Sequence, residues 1–160
     1  MKNLLHKLGG TPPEDNKLYQ VEIHYKRPLL EQLVLLSSSE DAYCTLLKVI
    51  GDVSLDFKEY FWIFLVNRAG YIVGFQEVGR GTIKATIINV PEIFQLALLA
   101  NATGIILLHN HPSGQKNPSP EDRVLTHKIK TISKALDIKL WDHLILTSEG
   151  YYSFLDEGEL

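Results

Sequence analysis

One residue separates His109 from His111, seven residues separate His111 from Ser119, and two separate Ser119 from Asp122. At the end of a strand, side chains two apart project to the same side, so the two imidazoles can reach one ion. Asp122 lies eleven residues after His111, in the first turn of an expected helix, and the turn-forming loop between them can bring its carboxylate back beside the rings. Two imidazoles and one carboxylate leave a tetrahedral Zn2+ one ligand short, and hydrolytic zinc uses that open position for water. Each part also has an ordinary reading. A lone His-x-His is weak evidence, and Ser119-Pro120-Glu121-Asp122 alone is a normal helix start. The four positions together point to a metal centre.

Composition narrows the choice of ligands. The chain holds one cysteine, Cys44, against six histidines. Paired-cysteine zinc sites and a disulfide framework are therefore excluded. A zinc nucleobase deaminase is excluded with them, because it needs a Pro-Cys-x-x-Cys partner motif. A formal net charge of −3 argues against a protein that works by wrapping nucleic-acid phosphates, although a local basic patch remains possible. The longest apolar run, Tyr60 to Val66, is far shorter than the roughly 20 residues that span a bilayer, and residues 1–16 carry no signal-peptide pattern. The expected compartment is the cytoplasm, with no membrane partner.

The elements that must position these residues follow from periodicity. A length of 160 residues with 45% apolar content suits one domain. Residues 1–16 read as a flexible N-terminal segment, and 17–160 as a single domain. Residues 17–26 alternate well enough for an edge strand. Ser37-x-x-Glu40 has capping-box spacing and predicts a helix ending at Gly51, with Cys44 as a small buried apolar residue. Residues 60–67 and 71–78 read as a hairpin across Arg68-Ala69-Gly70, and Thr82 to Ile88 as a third strand. Pro91 opens a mostly buried helix to about Ala102, and Gly104 to Leu108 is a strand buried on both faces that delivers His109. A helix from about Pro120 to Leu136, a strand from about Ile138 to Thr147 and a short strand near Tyr151 to Phe154 complete an α/β chain.

The pattern His-x-His-x7-Ser-x-x-Asp resembles that of the JAMM (JAB/MPN+) metalloprotease domain. His109-Asn110-His111-Pro112-Ser113-Gly114 with Pro118-Ser119 is similar to its bacterial RadC-like branch, as are Gly81-Thr82, Asp142-His143 and Tyr152-Ser153-Phe154. The likeness covers roughly residues 57–157. It implies a three-layer α/β/α fold, a mixed β-sheet flanked by helices, of the cytidine-deaminase-like architecture. It also implies one zinc on His109, His111 and Asp122, water activated by an upstream glutamate, and Ser119 polarising the transition state. The activity implied is hydrolysis of a peptide or isopeptide bond, with a peptide or protein as substrate. Full-length RadC proteins carry an N-terminal helix-hairpin-helix region, for which the fifty-odd residues ahead of the hairpin have no room beside the domain's flanking helix.

Within that resemblance Glu77, near the end of the second hairpin strand and four residues before Gly81-Thr82, is the expected general base; its ordinary reading is a solvated strand-end glutamate. Glu92 and Glu121 suit the role less. Ser119 can both cap a helix and donate to an oxyanion. Asp142-His143 reads either as an imidazole held by a carboxylate behind the metal or as a satisfied strand histidine. His6, His24 and His127 have no partner pattern. Arg123, His127, Lys130 and Lys134 form a basic stripe on the last helix, either a solvated face or a face for an acidic partner or nucleic acid. The alternative function is accordingly a nucleic-acid-associated accessory protein, connected with DNA repair or a mobile element, with a structural metal.

Overall fold

A computed structural model describes residues 24–26, 28–51, 53–81 and 88–160. The element order is a 3-10 turn at Leu30–Gln32, α1 (Ser39–Ile50), β1 (Tyr60–Val66), β2 (Ile72–Arg80), α2 (Val90–Leu99), β3 (Gly104–Asn110), α3 (Pro120–Ala135), β4 (Lys139–Thr147) and β5 (Gly150–Ser153). The N-terminal segment, most of the strand expected over 17–26, and most of that expected over 82–88 lie outside the described residues.

Five strands form one mixed sheet in the order β2-β1-β3-β4-β5. Strands β1–β2, β1–β3 and β4–β5 pair antiparallel, whereas β3–β4 pair parallel through the α3 crossover. The apolar run of β1 is buried from Phe61 to Val66 because both faces of the central sheet are covered. Side chains alternate between two cores. One packs Phe61, Ile63, Leu65, Ile105 and Leu107 against Ile93, Phe94 and Ala97 of α2 and Ile129 of α3. The other packs Trp62, Phe64, Val66, Ile106 and Leu108 against Ala42 and Leu46 of α1. This is the three-layer α/β/α arrangement the sequence predicts, and each such large side chain fully buried stabilises the fold by about 1.5–3 kcal/mol.

Two local expectations about α1 change. The cap is Ser38, whose side chain accepts from the Asp41 backbone N–H at 3.1 Å, and the Asp41 carboxylate accepts from the backbone N–H of Ser37 at 2.8 Å. The cap is thus one residue later than Ser37, and the carboxylate that reaches back is Asp41, to the residue before the cap, in place of Glu40. Cys44 is exposed: the inward face takes Ala42 and Leu46, one turn apart, and rotates Cys44 away from the core. At the far end of the sheet from the histidines, Gly104 is required by close approach, since a Cβ there would fall 2.2 Å from Trp141 Nε1. Among the described residues no helix is long and apolar enough to cross a membrane.

Candidate metal centre

Residue parity on β3 decides what each member of His109-Asn110-His111 does. His109 lies opposite Phe61 on β1, on the face covered by α2 and α3, and the two rings stack with centroids 5.5 Å apart. His111 follows the end of β3, but its backbone N–H still bonds to Leu146 O on β4 at 2.9 Å. Its ring returns to the same side, where Nε2 stands 3.0 Å from His109 Nε2. The other nitrogen of that ring, Nδ1, donates to Gln115 O at 2.7 Å, so the loop after the strand fixes which edge of His111 faces His109.

The carboxylate arrives from the first turn of α3. Ser119 caps this helix by accepting from the Asp122 N–H at 3.1 Å, and Asp122 Oδ2 accepts from both the N–H and the hydroxyl of Ser119 at 2.7 Å. The capping box therefore aims the carboxylate at the histidines. Asp122 Oδ1 is 3.1 Å from His109 Nε2, and Oδ2 is 3.3 Å from His111 Nε2. Neighbouring ligands on a tetrahedron with bonds of about 2.0–2.1 Å stand about 3.3 Å apart, so the donor set fits one small ion.

The electrostatics favour a cation at this point. Burial works to raise the pKa of Asp122, but the contacts with His109, His111 and Ser119 outweigh it and hold the carboxyl well below the usual range. Burial likewise works to lower the pKa of His111, yet Asp122, the Gln115 carbonyl and the charge of Glu59 raise it overall. Either a proton or a metal ion answers the same field.

A cleft of about 420 Å³ opens beside the donors. Its lining includes Glu59 and Phe61 from the start of β1 and Ser119, Asp122 and Leu125 from the start of α3. Sequence reasoning does not single out Glu59: it is two residues before Phe61 and so shares the side of the sheet that carries His109, but that parity has meaning only once the β1–β3 register is known. Its position is held by Asn110, which the motif presents as a mere spacer. This carboxamide is fully buried on the opposite face; Nδ2 donates to Leu55 O and Lys58 O, both at 2.6 Å, and Oδ1 accepts from Tyr60 N at 2.8 Å. The middle residue of the motif thereby ties the segment bearing Glu59 to the strand bearing the ligands.

The structure does not bring Glu77 to this cluster. Glu77 is the cross-strand partner of Trp62, and paired residues share a face, so its side chain lies on the α1 side of the sheet. It is paired there with Arg80 at 2.8 Å. The assignment from linear distance fails because the register of β1–β2, with an irregularity between Phe61 and Trp62, sets the face. Glu92 lies in the first turn of α2, and Glu121 is an exposed residue at the rim of the cleft.

Asp142 and His143 are neighbours with separate duties. Asp142 accepts from its neighbour's backbone N–H, from Leu155 N and from the Ser153 hydroxyl, at 2.7, 3.0 and 2.6 Å, and burial raises its pKa. It does not hold the His143 imidazole. That ring is fully buried, with Nε2 2.9 Å from His109 Nδ1 and Nδ1 2.6 Å from Thr126 Oγ1. The basic stripe is divided as well. Arg123 pairs with Glu159 and lies over the Phe154 ring, His127 is exposed, and Lys130 and Lys134 line a separate hollow with Trp141.

Residues 36–159 match the sequence profile of the RadC-like JAB domain. The chain belongs to that family. Similar proteins include a UPF0758 protein of Flavobacterium johnsoniae, 42% identical over 79% of this chain and 54% of that protein. Another, from Thermotoga maritima, is 42% identical over 56% of this chain and 40% of its own length. A third, from Chlorobium phaeovibrioides, is 35% identical over 98% of this chain and 70% of its own length. The RadC-like chain thus spans about half the length of the first two relatives.

Proposed function

We propose that the protein is a zinc-dependent hydrolase of the JAMM type that cleaves a peptide or isopeptide bond in a peptide or protein. The observation that carries the reading is the convergence of His109 Nε2, His111 Nε2 and the Asp122 carboxylate within 4.8 Å of one another, beside a cleft lined by a second carboxylate, Glu59. Zinc bound by those three side chains would supply Lewis acidity, lowering the pKa of water and polarising the scissile carbonyl. Glu59 takes the proton from the attacking water and returns it to the leaving nitrogen, a role for which its place in the lining of the cleft suits it and Glu77's, on the other face of the sheet, does not. Ser119 turns its hydroxyl from Asp122 Oδ2 toward the developing oxyanion while its backbone remains capped. Phe61 and Leu125 give the cleft apolar lining beside these groups.

Elemental analysis of purified wild type and His109→Ala tests the site. The expected result is one zinc per wild-type chain and none in the variant. Equal metal in both would remove the site and the activity built on it.

A further inference from the structure

His143 is a fully buried imidazole that the reaction above does not use, and its surroundings give it a defined task. We propose that Thr126 and His143 are positioning residues that set His109 in the tautomer able to bind a metal through Nε2. The inference deepens, and rests on, the metal reading of the site.

The argument is a count of protons along a chain of contacts. Thr126 Oγ1 lies 2.6 Å from the Asp122 carbonyl oxygen, which can only accept, so the single hydroxyl proton points there. Thr126 therefore meets His143 Nδ1, also at 2.6 Å, with a lone pair, and Nδ1 carries the proton. No carboxylate among the described residues is hydrogen-bonded to the buried His143 ring, which leaves it neutral, with a lone pair on Nε2. That lone pair accepts from His109 Nδ1 at 2.9 Å. His109 then has its proton on Nδ1, which leaves Nε2, 3.1 Å from Asp122 Oδ1, as the nitrogen that turns to the carboxylate and that a metal can take; without a metal a proton on it bonds to Asp122.

The chain closes on itself. Asp122 supplies a carboxylate to the metal donors and, through its backbone carbonyl one turn before Thr126, the acceptor that begins the proton order. Two ligands from different elements are thereby set by one helix. Ring planes and protons have separate guardians: Phe154 stacks on His143 at 4.9 Å and 8°, which holds the plane, and among the described residues Thr126 selects the protonated nitrogen. Without the hydroxyl, His143 is free to protonate Nε2 instead. His109 would then accept at Nδ1 and carry its own proton on Nε2, in the place of the metal.

Two measurements test this. Long-range proton–nitrogen NMR on the metal-free wild-type protein is expected to show the Nδ1–H tautomer for His143 and a proton on His109 Nδ1, with or without a second proton on His109 Nε2 toward Asp122; an Nε2–H signature on His143, or an unprotonated Nδ1 on His109, overturns the proposal. Zinc affinity, measured by competition with a chromogenic chelator, is expected to fall about 10–100-fold in Thr126→Val, which keeps the shape, and to return to near wild type in Thr126→Ser. Wild-type affinity in Thr126→Val also overturns it. Should the wild type take up no zinc, the metal reading fails, while the tautomers still decide the relay.

Discussion

Glu59 and Glu77 bracket one hairpin, the first just ahead of β1 and the second near the end of β2, yet only the first faces the metal donors. Both glutamates are partly exposed and close to a strand end, and local sequence gives no reason to prefer either. The difference is parity across two antiparallel ladders. Glu59 is in step with Phe61, and Phe61 is paired with His109; Glu77 is paired with Trp62, whose partner on β3 is Leu108 in the opposite core. In a sheet with both faces covered, one residue of register moves a carboxylate from one side of the molecule to the other. Chemistry at a sheet-built site is thus assigned by cross-strand partner, not by distance along the chain.

The strongest way to break the comparison is to neutralise Glu59. Glu59→Gln is expected to retain zinc and to lose about 10²–10⁴-fold in hydrolysis of a peptide or isopeptide substrate, the usual contribution of a positioned acid–base group. Zinc content and turnover measured on the same preparation check this. Full activity in the zinc-loaded variant would return the role to another carboxylate.

The next effect sharpens the comparison by loosening what holds Glu59. Asn110→Ala leaves Leu55 O, Lys58 O and Tyr60 N without their partner. It is expected to cost about 1–3 kcal/mol for each of these groups that water does not reach, read from the urea midpoint. Turnover should fall more than zinc affinity, because the ligands are on the other face of the strand. A variant with wild-type stability would show that the Glu59 segment is anchored by something else.

These residues also mark what was legible beforehand. His109, His111 and Asp122 could be read from the sequence because a strand period and a helix start are local signals, and α3 begins where Ser119 and Pro120 place it. The strands β1 and β3 were legible from their apolar runs, and the three layers from the resemblance to the JAMM domain. Asn110 was not, since a buried carboxamide is recognised by its partners, and these are 50–55 residues away in the chain. For His143 the sequence leaves two readings open, because alternation does not reveal that the ring is bonded to Thr126 and His109 instead of to the adjacent carboxylate. Cys44 was misplaced by a small rotation of α1, which local composition does not specify.

A smaller effect belongs to Asp142, which by the same logic of faces serves the fold and not the metal donors. Burial raises its pKa above the ordinary value of 3.8, so the folded state holds the proton more tightly than the unfolded chain. Its contribution to stability is fully present below that ordinary value and is lost as pH rises through the folded one. Asp142→Asn removes this slope from the stability profile, measured as urea midpoints across the acidic range, and leaves zinc uptake unchanged. A parallel loss of zinc would place Asp142 behind the metal after all.

The smallest expected effect is that of Glu77→Gln. Its carboxylate bonds to Arg80 Nε at 2.8 Å and to Nη2 at 3.2 Å at an exposed edge, and Arg80 also lies over the Tyr60 ring. Water and Tyr60 still receive the guanidinium when the charge is removed, so the unfolding midpoint, zinc content and turnover should all stay at wild-type values. In the background of Glu59→Gln the second substitution should add nothing. A loss of turnover from Glu77→Gln alone would mean that β2 pairs with β1 one residue out of the register described here, because only that slip brings Glu77 to the side of His109.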